Sequence, residues 1–494
     1  MAASSQPEPP CRAADLGRPI PDSPHAISVC LPLWEHNVGY EEGDRNVIDR
    51  MQAGYPRFFL NPLVKKLFDG VASSFGGDCA SYAFPSKSTA LRCQQYVQSK
   101  LDVHLLVDAV TENIWIVIGP PEARDAMNQF WQHGGEIISS RAAEIALAGR
   151  SPAITGCESK RTIRQRVASL HECDPDDVYL FPSGMAAIYL AWRVCCRLRP
   201  DLRSVQFGFP YVDTLKLQQR FVTDGVRFFP NGDESELTEL AALVSKEQIQ
   251  ALYCESPTNP LLVTPDILKL RNLANEYKFP LVVDDTVGAL INTDTLSYSD
   301  LMTTSLTKFF SGAGNVLAGS LIVNPTSPHA EQLRALIKDE YEDLFFDCDA
   351  DVLAANSADA AERVQRINTS AEAVADYLVA HPAVDRLYYP KFTTPRAYNA
   401  IRKPNGGYGG LFSVTLKQPD AASRFYDALA IAKGPNLGTN FSLACPYTIL
   451  AHYDELDFAE SCGVSRNLVR VSIGLEDTDW LIQRFADALS ACDT

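Results

Sequence analysis

No run of apolar residues in this chain approaches the ~20 needed to span a bilayer. The opening stretch, MAASSQPEPPCRAADLGRPIPDSP, lacks the apolar core of a secretory signal. Positive charge is scarce: 44 Lys and Arg stand against 61 Asp and Glu, a net charge of −17. That balance argues against nonspecific binding to nucleic acid or an anionic membrane, though not against one phosphate held locally. The 13 cysteines show no paired spacing, so no disulfide framework is expected and a reducing compartment, the cytoplasm, fits. Gly312-Ala313-Gly314 does not extend to G-x-G-x-x-G, which disfavours a nicotinamide oxidoreductase. His171, Glu172 and Cys173, with Asp174, Asp176 and Asp177, lack both zinc spacing and the glycine of a calcium loop, so no metal is expected. There are no internal repeats and no long low-complexity tract.

What is present is ordinary globular material: 494 residues, 46% hydrophobic and 21% charged, enough for roughly three folding units. Residues 1–27, rich in Pro, Ser and Ala, read as a mobile arm. Residues 28–150 read as an accessory segment with apolar runs at 104–110 and 113–119. From 151 to 325 short apolar runs alternate with helical stretches. The expected strands are 178–181, 204–209, 251–255, 280–285 and 318–323, with amphipathic helices at 185–198 and 267–278 between them. This predicts an α/β fold with a mostly parallel sheet. From 326 to 494 the expectation is a smaller α+β domain, with a helix over 361–381, strands at 409–416 and 468–475 and a terminal helix over 479–491.

Three weak signals stand in a telling order. In LFPSGMAAI (180–188) a strand runs through Ser183-Gly184 into a helix, whose first free N–H groups at Gly184 and Met185 suit a phosphate. In VVDDTVGA (282–289) a buried strand ends in Asp284-Asp285-Thr286, where α/β proteins bind ligands. In TTSLTKFFSGAGN (303–315) Lys308 follows Ser305 and Thr307, whose hydroxyls share a face in an extended chain. A phosphate turn, an Asp on a strand end and a Lys 24 residues later match what pyridoxal phosphate requires.

At these residues the sequence resembles the Cys/Met-metabolism pyridoxal-phosphate enzymes, and among them the fungal cystathionine γ-synthases. The resemblance implies a fold-type-I, aspartate-aminotransferase-like architecture and a homo-oligomer, a dimer of dimers. In GYPRFFLNP (54–62) it implies that Tyr55 and Arg57 reach the phosphate of a neighbouring subunit. Tyr211 in GFPYVDT would stack on the cofactor ring and move protons. Glu255 and Asn259 in ESPTNP would lie near the cofactor, Asp284 would pair with the ring nitrogen and Thr286 would follow it. Lys308 would form the Schiff base, with Ser305 and Thr307 on the phosphate, and Arg470 in LVRVSIGLED would clamp the substrate carboxylate. In the stretch beginning Asn436-Leu437-Gly438, Phe441 stands where many relatives carry a Glu, which implies an apolar wall beside the acceptor. Gly312-Ala313 and Gly319-Ser320 also depart from the family pattern.

The implied activity is replacement at Cγ of an O-acyl-L-homoserine, through a β,γ-unsaturated intermediate attacked by a nucleophile. Cysteine would give cystathionine, and an enolate from a β-keto acid or ester would give a new C–C bond. A γ-lyase or an O-acetylhomoserine sulfhydrylase shares every residue above and remains the alternative.

Overall fold

In a computed structural model of the chain, residues 8–150, 156–222 and 225–492 are described. The expected boundary at 151 and the first seven residues of the expected arm lie outside them.

The central sheet has seven strands in the order Val178–Phe181, Gly319–Val323, Leu301–Thr304, Leu281–Asp284, Leu252–Glu255, Ser204–Phe207, Val226–Phe229. All neighbours pair in parallel except Gly319–Val323, which runs antiparallel to the strand on either side of it. Most of these strands are buried throughout, which is why they read as apolar runs without alternation. The strands at 226–229 and 301–304 escaped the sequence reading. VRFF is half-buried at the sheet edge, and LMTT ends in hydroxyl residues that do not look like core. Helices Gly184–Leu198 and Ile267–Tyr277 match the expected positions.

A five-stranded sheet, in the order Val384–Tyr388, Leu411–Leu416, Val469–Ser472, Leu443–Pro446, Ala432–Lys433, forms the C-terminal unit. The long helix Ala360–Val379 and the last helix Thr478–Ser490 pack on it through Val374, Leu378, Leu481 and Phe485.

The N-terminal segment folds as a three-stranded sheet, Ala80–Phe84, Ile114–Gly119, Leu106–Thr111, flanked by helices Lys87–Gln98 and Arg124–Gly134. It shares one apolar core with the large unit, in which Phe130 and Trp131 join Met185, Tyr189 and Trp192. The expectation of a mobile arm over 1–27 is corrected for residues 8–27. Leu16 and Ala26 are buried with Val29 and Met51, and Ile20 is buried with Cys30 and Leu443. Backbone hydrogen bonds from Ile20 to Ser28 and from Cys30 to Arg18 hold the stretch as a paired edge. Its Pro- and Ser-rich composition concealed the apolar anchors Leu16, Ile20, Ala26 and Ile27.

Candidate active site

Parallel strands deliver their C-terminal ends to one side of the sheet, and a cavity of about 460 Å³ opens there. Its floor is Lys308, 9% exposed. The lysine Nζ donates to Asn436 Oδ1 at 2.6 Å and lies 4.3 Å from the centre of the Tyr55 ring. Burial, then the charges of Arg470 and Arg57, hold its pKa well below the ordinary lysine value. Gly438 makes this floor possible: its φ is +70°, and a Cβ there would stand 2.6 Å from the Phe309 nitrogen and 2.9 Å from the Lys308 carbonyl carbon.

Glu255 and Asp284 end adjacent strands and sit opposite each other in register. Glu255 accepts from the backbone N–H of Tyr211 at 2.5 Å and of Asn259 at 3.0 Å. Asp284 accepts from the Thr286 N–H at 2.9 Å. Burial, then the neighbouring Asp284, pushes Glu255 well above the usual carboxylate range, and burial lifts Asp284 to about 6. Neither has an ion-pair partner among the described residues.

The anion cradle starts at Ser183, which caps the helix Gly184–Leu198 by accepting from the Ala186 N–H at 3.1 Å. Gly184 is pressed against Ser305; a Cβ on it would meet the Ser305 Cβ at 2.8 Å. The Ser305 Oγ is buried and finds no partner, while its N–H donates to Thr286 Oγ1 at 2.8 Å. Thr307 is a correction. After Thr304 the chain turns instead of staying extended, so the shared face does not form. The Thr307 hydroxyl is used by Ala318, donating to its carbonyl at 3.1 Å and accepting from its N–H at 2.9 Å.

At the opposite wall Arg470 is 5% exposed and donates to Asn259 Oδ1 at 3.1 Å and to the Pro435 carbonyl at 2.7 Å. It has no acidic partner, and its guanidinium lies 4.9 Å from the centre of the Tyr447 ring. Asn259 thus aims Arg470, and its own N–H reaches Glu255. Met185 and Leu437 line the cavity. Phe441 is a second correction: it is not at the cavity but packs with Ile20, Cys30 and Leu443. The turn at Gly438 and the hydrogen bonds from the Ser442 N–H and Oγ to Glu476 direct its backbone away from the site.

Tyr55 and Arg57 line the cavity of their own chain. Arg57 is 3% exposed and donates to the Tyr211 hydroxyl at 2.5 Å, the Gln132 carbonyl at 2.6 Å and the Asp213 carboxylate. Gln132, His133 and Asp213 escaped the sequence reading. Only the position of Asp213, two residues past Tyr211, could have drawn notice to it.

Two families match the sequence. The model of the Cys/Met metabolism PLP-dependent enzymes matches residues 155–490. The chain belongs to this family. The N-terminal domain of fungal trans-sulfuration enzymes matches residues 63–139. A cystathionine gamma-synthase of Neurospora crassa is 35% identical over 97% of this chain and 98% of its own length. The cystathionine gamma-synthase-like protein ankD of Aspergillus thermomutatus is 38% identical over 96% and 94%. The crystal structure of metB from Corynebacterium glutamicum is 25% identical and covers 66% of this chain and 84% of that one, with a TM-score of 0.58. The fold is therefore the type-I architecture of these enzymes, and the cofactor is pyridoxal phosphate.

The residues present fit that cofactor. A phosphate would find the free N–H groups at Gly184 and the Ser305 hydroxyl, which has no partner among the described residues. A protonated ring nitrogen would find Asp284 and Glu255, two carboxylates without a cation among the described residues, and Lys308, whose amine is held well below the ordinary lysine pKa, lines the same cavity. No helix among the described residues is long and apolar enough to cross a membrane.

Proposed function

We propose that this enzyme performs γ-replacement on an O-acyl-L-homoserine, exchanging the acyloxy group at Cγ for the sulfur of cysteine. One observation carries the reading: a low-pKa lysine, an arginine without an acidic partner and a carboxylate pair without a cation face a single cavity.

Pyridoxal phosphate, when bound, supplies an electron-withdrawing ring that acidifies the C–H bonds beside the substrate's amino group. Asp284, backed by Glu255, holds the ring nitrogen in its protonated form, since a nearby anion favours the charged base. Arg470 offers a planar fork to the α-carboxylate, which fixes the direction of the Cα–H bond. Lys308, whose protonation burial and two guanidinium groups oppose, accepts the Cα proton and later returns it. Asn436 Oδ1 steadies the Nζ for both steps. The Tyr211 hydroxyl, polarised by Arg57, is within the same cavity as a second proton carrier at Cβ. The C–O bond at Cγ breaks to release a carboxylate, and a C–S bond forms as the thiol gives up its proton.

The cavity mouth supports an amino-acid acceptor. It carries Glu41 and Asp454 together with the ion pair of Lys216 and Glu455, at 2.5 Å. Charges of both signs suit a zwitterion better than an enolate, an anion with no ammonium group to match the carboxylates. The carbon-nucleophile reading leaned on an apolar wall at Phe441, which lies elsewhere. A cysteine substrate also suits a reducing cytoplasm. The family resemblance implies assembly as a homo-oligomer, a dimer of dimers.

The test is product analysis by mass spectrometry, with O-acetyl-L-homoserine offered to the cofactor-loaded enzyme alongside cysteine, sulfide and acetoacetate. Cystathionine as the main product supports the proposal. A carbon-linked amino acid, homocysteine, or 2-oxobutyrate alone would assign the site to C–C bond formation, sulfhydrylation or γ-elimination instead.

A further inference from the structure

The ester of an O-acyl-L-homoserine brings two oxygen acceptors and no donor. As it leaves, negative charge gathers on the oxygen that was bound to Cγ. Arg470 is matched to the α-carboxylate and Lys308 to the Cα proton, so that oxygen still needs a neutral donor on the cavity wall. Tyr447 is such a group. It lines the cavity and is 3% exposed, and its hydroxyl is buried with no hydrogen-bond partner among the described residues. A buried hydroxyl left unmatched is costly until a ligand completes it.

The fold fixes this side chain from both sides. The strand Leu443–Pro446 runs antiparallel to Val469–Ser472 with Cys445 opposite Arg470, so the helix Tyr447–His452 that follows starts beside the Arg470 side chain. The guanidinium lies 4.9 Å from the centre of the Tyr447 ring. The His452 ring is 5.9 Å away, tilted by 56°, and its Nδ1 is hydrogen-bonded to Glu455 at 3.0 Å. Phe209, Leu437 and Cys445 complete the apolar packing. Besides burial, the groups that act on the Tyr447 hydroxyl are Arg470, Glu255, Cys445 and Asp213, and it acts in turn on Tyr211. The hydroxyl thus sits between the carboxylate-binding end of the cavity and Tyr211, the proton carrier at Cβ. A homoserine chain anchored at Arg470 and Lys308 brings Cγ to that side. Burial raises the pKa of the hydroxyl, so it keeps its proton and serves as a lasting donor.

We propose that Tyr447 is a catalytic residue that receives the leaving group: its hydroxyl donates a hydrogen bond to the Cγ-bound ester oxygen while the C–O bond breaks. The electron pair of that bond departs with the oxygen, as a carboxylate. No proton changes hands, because a carboxylate is far too weak a base to take one from a tyrosine. The proposal rests on the reading that an acyloxy group leaves Cγ, and it holds whichever acceptor follows.

The test compares Tyr447→Phe with wild type, both loaded with cofactor, on two substrates that differ only in what leaves. O-acetyl-L-homoserine releases acetate, a strong hydrogen-bond acceptor. L-2-amino-4-chlorobutanoate releases chloride, whose diffuse charge gains little from a single donor. The ion set free in the first turnover is measured by rapid quench, with the acceptor omitted. The phenylalanine keeps the ring against Arg470, so acetate release should slow by about ten- to a hundredfold while chloride release stays within about threefold of wild type. Equal losses on both substrates would overturn the proposal, as would an unchanged rate of acetate release. Urea unfolding of the apoprotein gives a readout without turnover. The midpoint of Tyr447→Phe should match or exceed that of wild type, because the hydroxyl removed has no partner to lose. A clear drop would assign that hydroxyl a structural role and overturn the proposal. If wild type releases no acetate at all, the γ-replacement reading fails and takes this proposal with it; equal losses on the two substrates count against the Tyr447 hydroxyl alone.

Discussion

Replacing Gly184 with alanine isolates the close approach on which the anion cradle depends. The backbone at Gly184 lies outside the left-handed region, so alanine meets no conformational penalty there. Its place at the start of the helix Gly184–Leu198 even favours alanine, by up to about 1 kcal/mol. Against this, the new Cβ would stand 2.8 Å from the Ser305 Cβ and 3.0 Å from its Cα. Ordinary contact begins near 3.4 Å, so the two segments must part by 3.4 − 2.8 = 0.6 Å. Overpacking of this kind costs about 1–3 kcal/mol, and the net expectation is a loss of roughly 1–2 kcal/mol in the apoprotein. The same movement takes the Ser305 hydroxyl or the Gly184 N–H beyond good hydrogen-bond distance of a phosphate placed for both. Losing one charge-assisted hydrogen bond, about 1.5–3 kcal/mol, weakens cofactor binding by roughly 10- to 100-fold. Urea unfolding of the apoprotein and fluorescence titration with pyridoxal phosphate measure the two effects separately. Adding Ser305→Gly removes the closest atom and should return part of the stability but not the affinity, because the hydroxyl goes with it. A Gly184→Ala protein that is more stable than wild type and binds cofactor unchanged would refute the reasoning.

Arg470→Ala should lower kcat/KM for the amino-acid substrate by about two orders of magnitude or more, since deleting one partner of a desolvated charge pair costs about 2–5 kcal/mol. Steady-state kinetics read this, and Arg470→Lys should recover part of it; a change within about threefold would remove Arg470 from carboxylate binding. At the mouth, burial and then Asp454 raise Glu41 from an ordinary value of 4.5 to about 8. The mouth therefore gains negative charge between pH 7 and 9, the KM of an anionic acceptor rises over that range, and Glu41→Gln flattens the profile. The sign for stability is the same: the folded state binds the extra proton, so Glu41's contribution falls as pH climbs from 4.5 towards 8. Burial, then Lys403, depresses His171 from 6.5 to about 3. Its contribution is present above pH 6.5 and is lost as the solution is acidified towards 3, so urea midpoints should drop from pH 7 to 5 and drop less in His171→Phe.

The parts of the fold written in short-range pattern were legible. VYLF, LYCE and LVVD were readable as buried strands because both faces are covered, and SGMAA as a strand-to-helix turn because Ser caps and Gly permits contact. Positions that depend on where the chain goes next were not. Thr307 looked equivalent to Ser305 until the turn after Thr304 rotated its hydroxyl to Ala318, and Phe441 looked like a pocket wall until Ile20 was seen to cover it. No local pattern announces that Asp213 will meet Arg57, 156 positions before it, because the chain between them must first fold into two units that share a core. Beyond Tyr55 and Arg57, the accessory segment carried no chemical signal, for the same reason. It also places Gln132 and His133 at the end of an amphipathic helix, ordinary residues whose contacts come from where the helix docks.

The charges of the site make sense only as one half of a pair. Without a ligand, Glu255 and Asp284 disfavour each other's ionisation, Lys308 is driven towards neutrality, and Arg470 satisfies itself on carbonyl and amide oxygens. Each of these is an unfavourable arrangement for an empty pocket, held in place by surroundings that over-determine it. A ligand with a cationic ring nitrogen near Asp284, a phosphate at Gly184 and a carboxylate at Arg470 relieves all of them at once. Arg57 is the exception, since Asp213 already balances it. A charge that is matched before the ligand arrives gives up less on binding, so Arg57 should orient Tyr211 and the phosphate more than it attracts them. Raising ionic strength should then weaken substrate capture at Arg470 more than cofactor retention, because a phosphate at Gly184 would be held by backbone N–H groups and a buried hydroxyl.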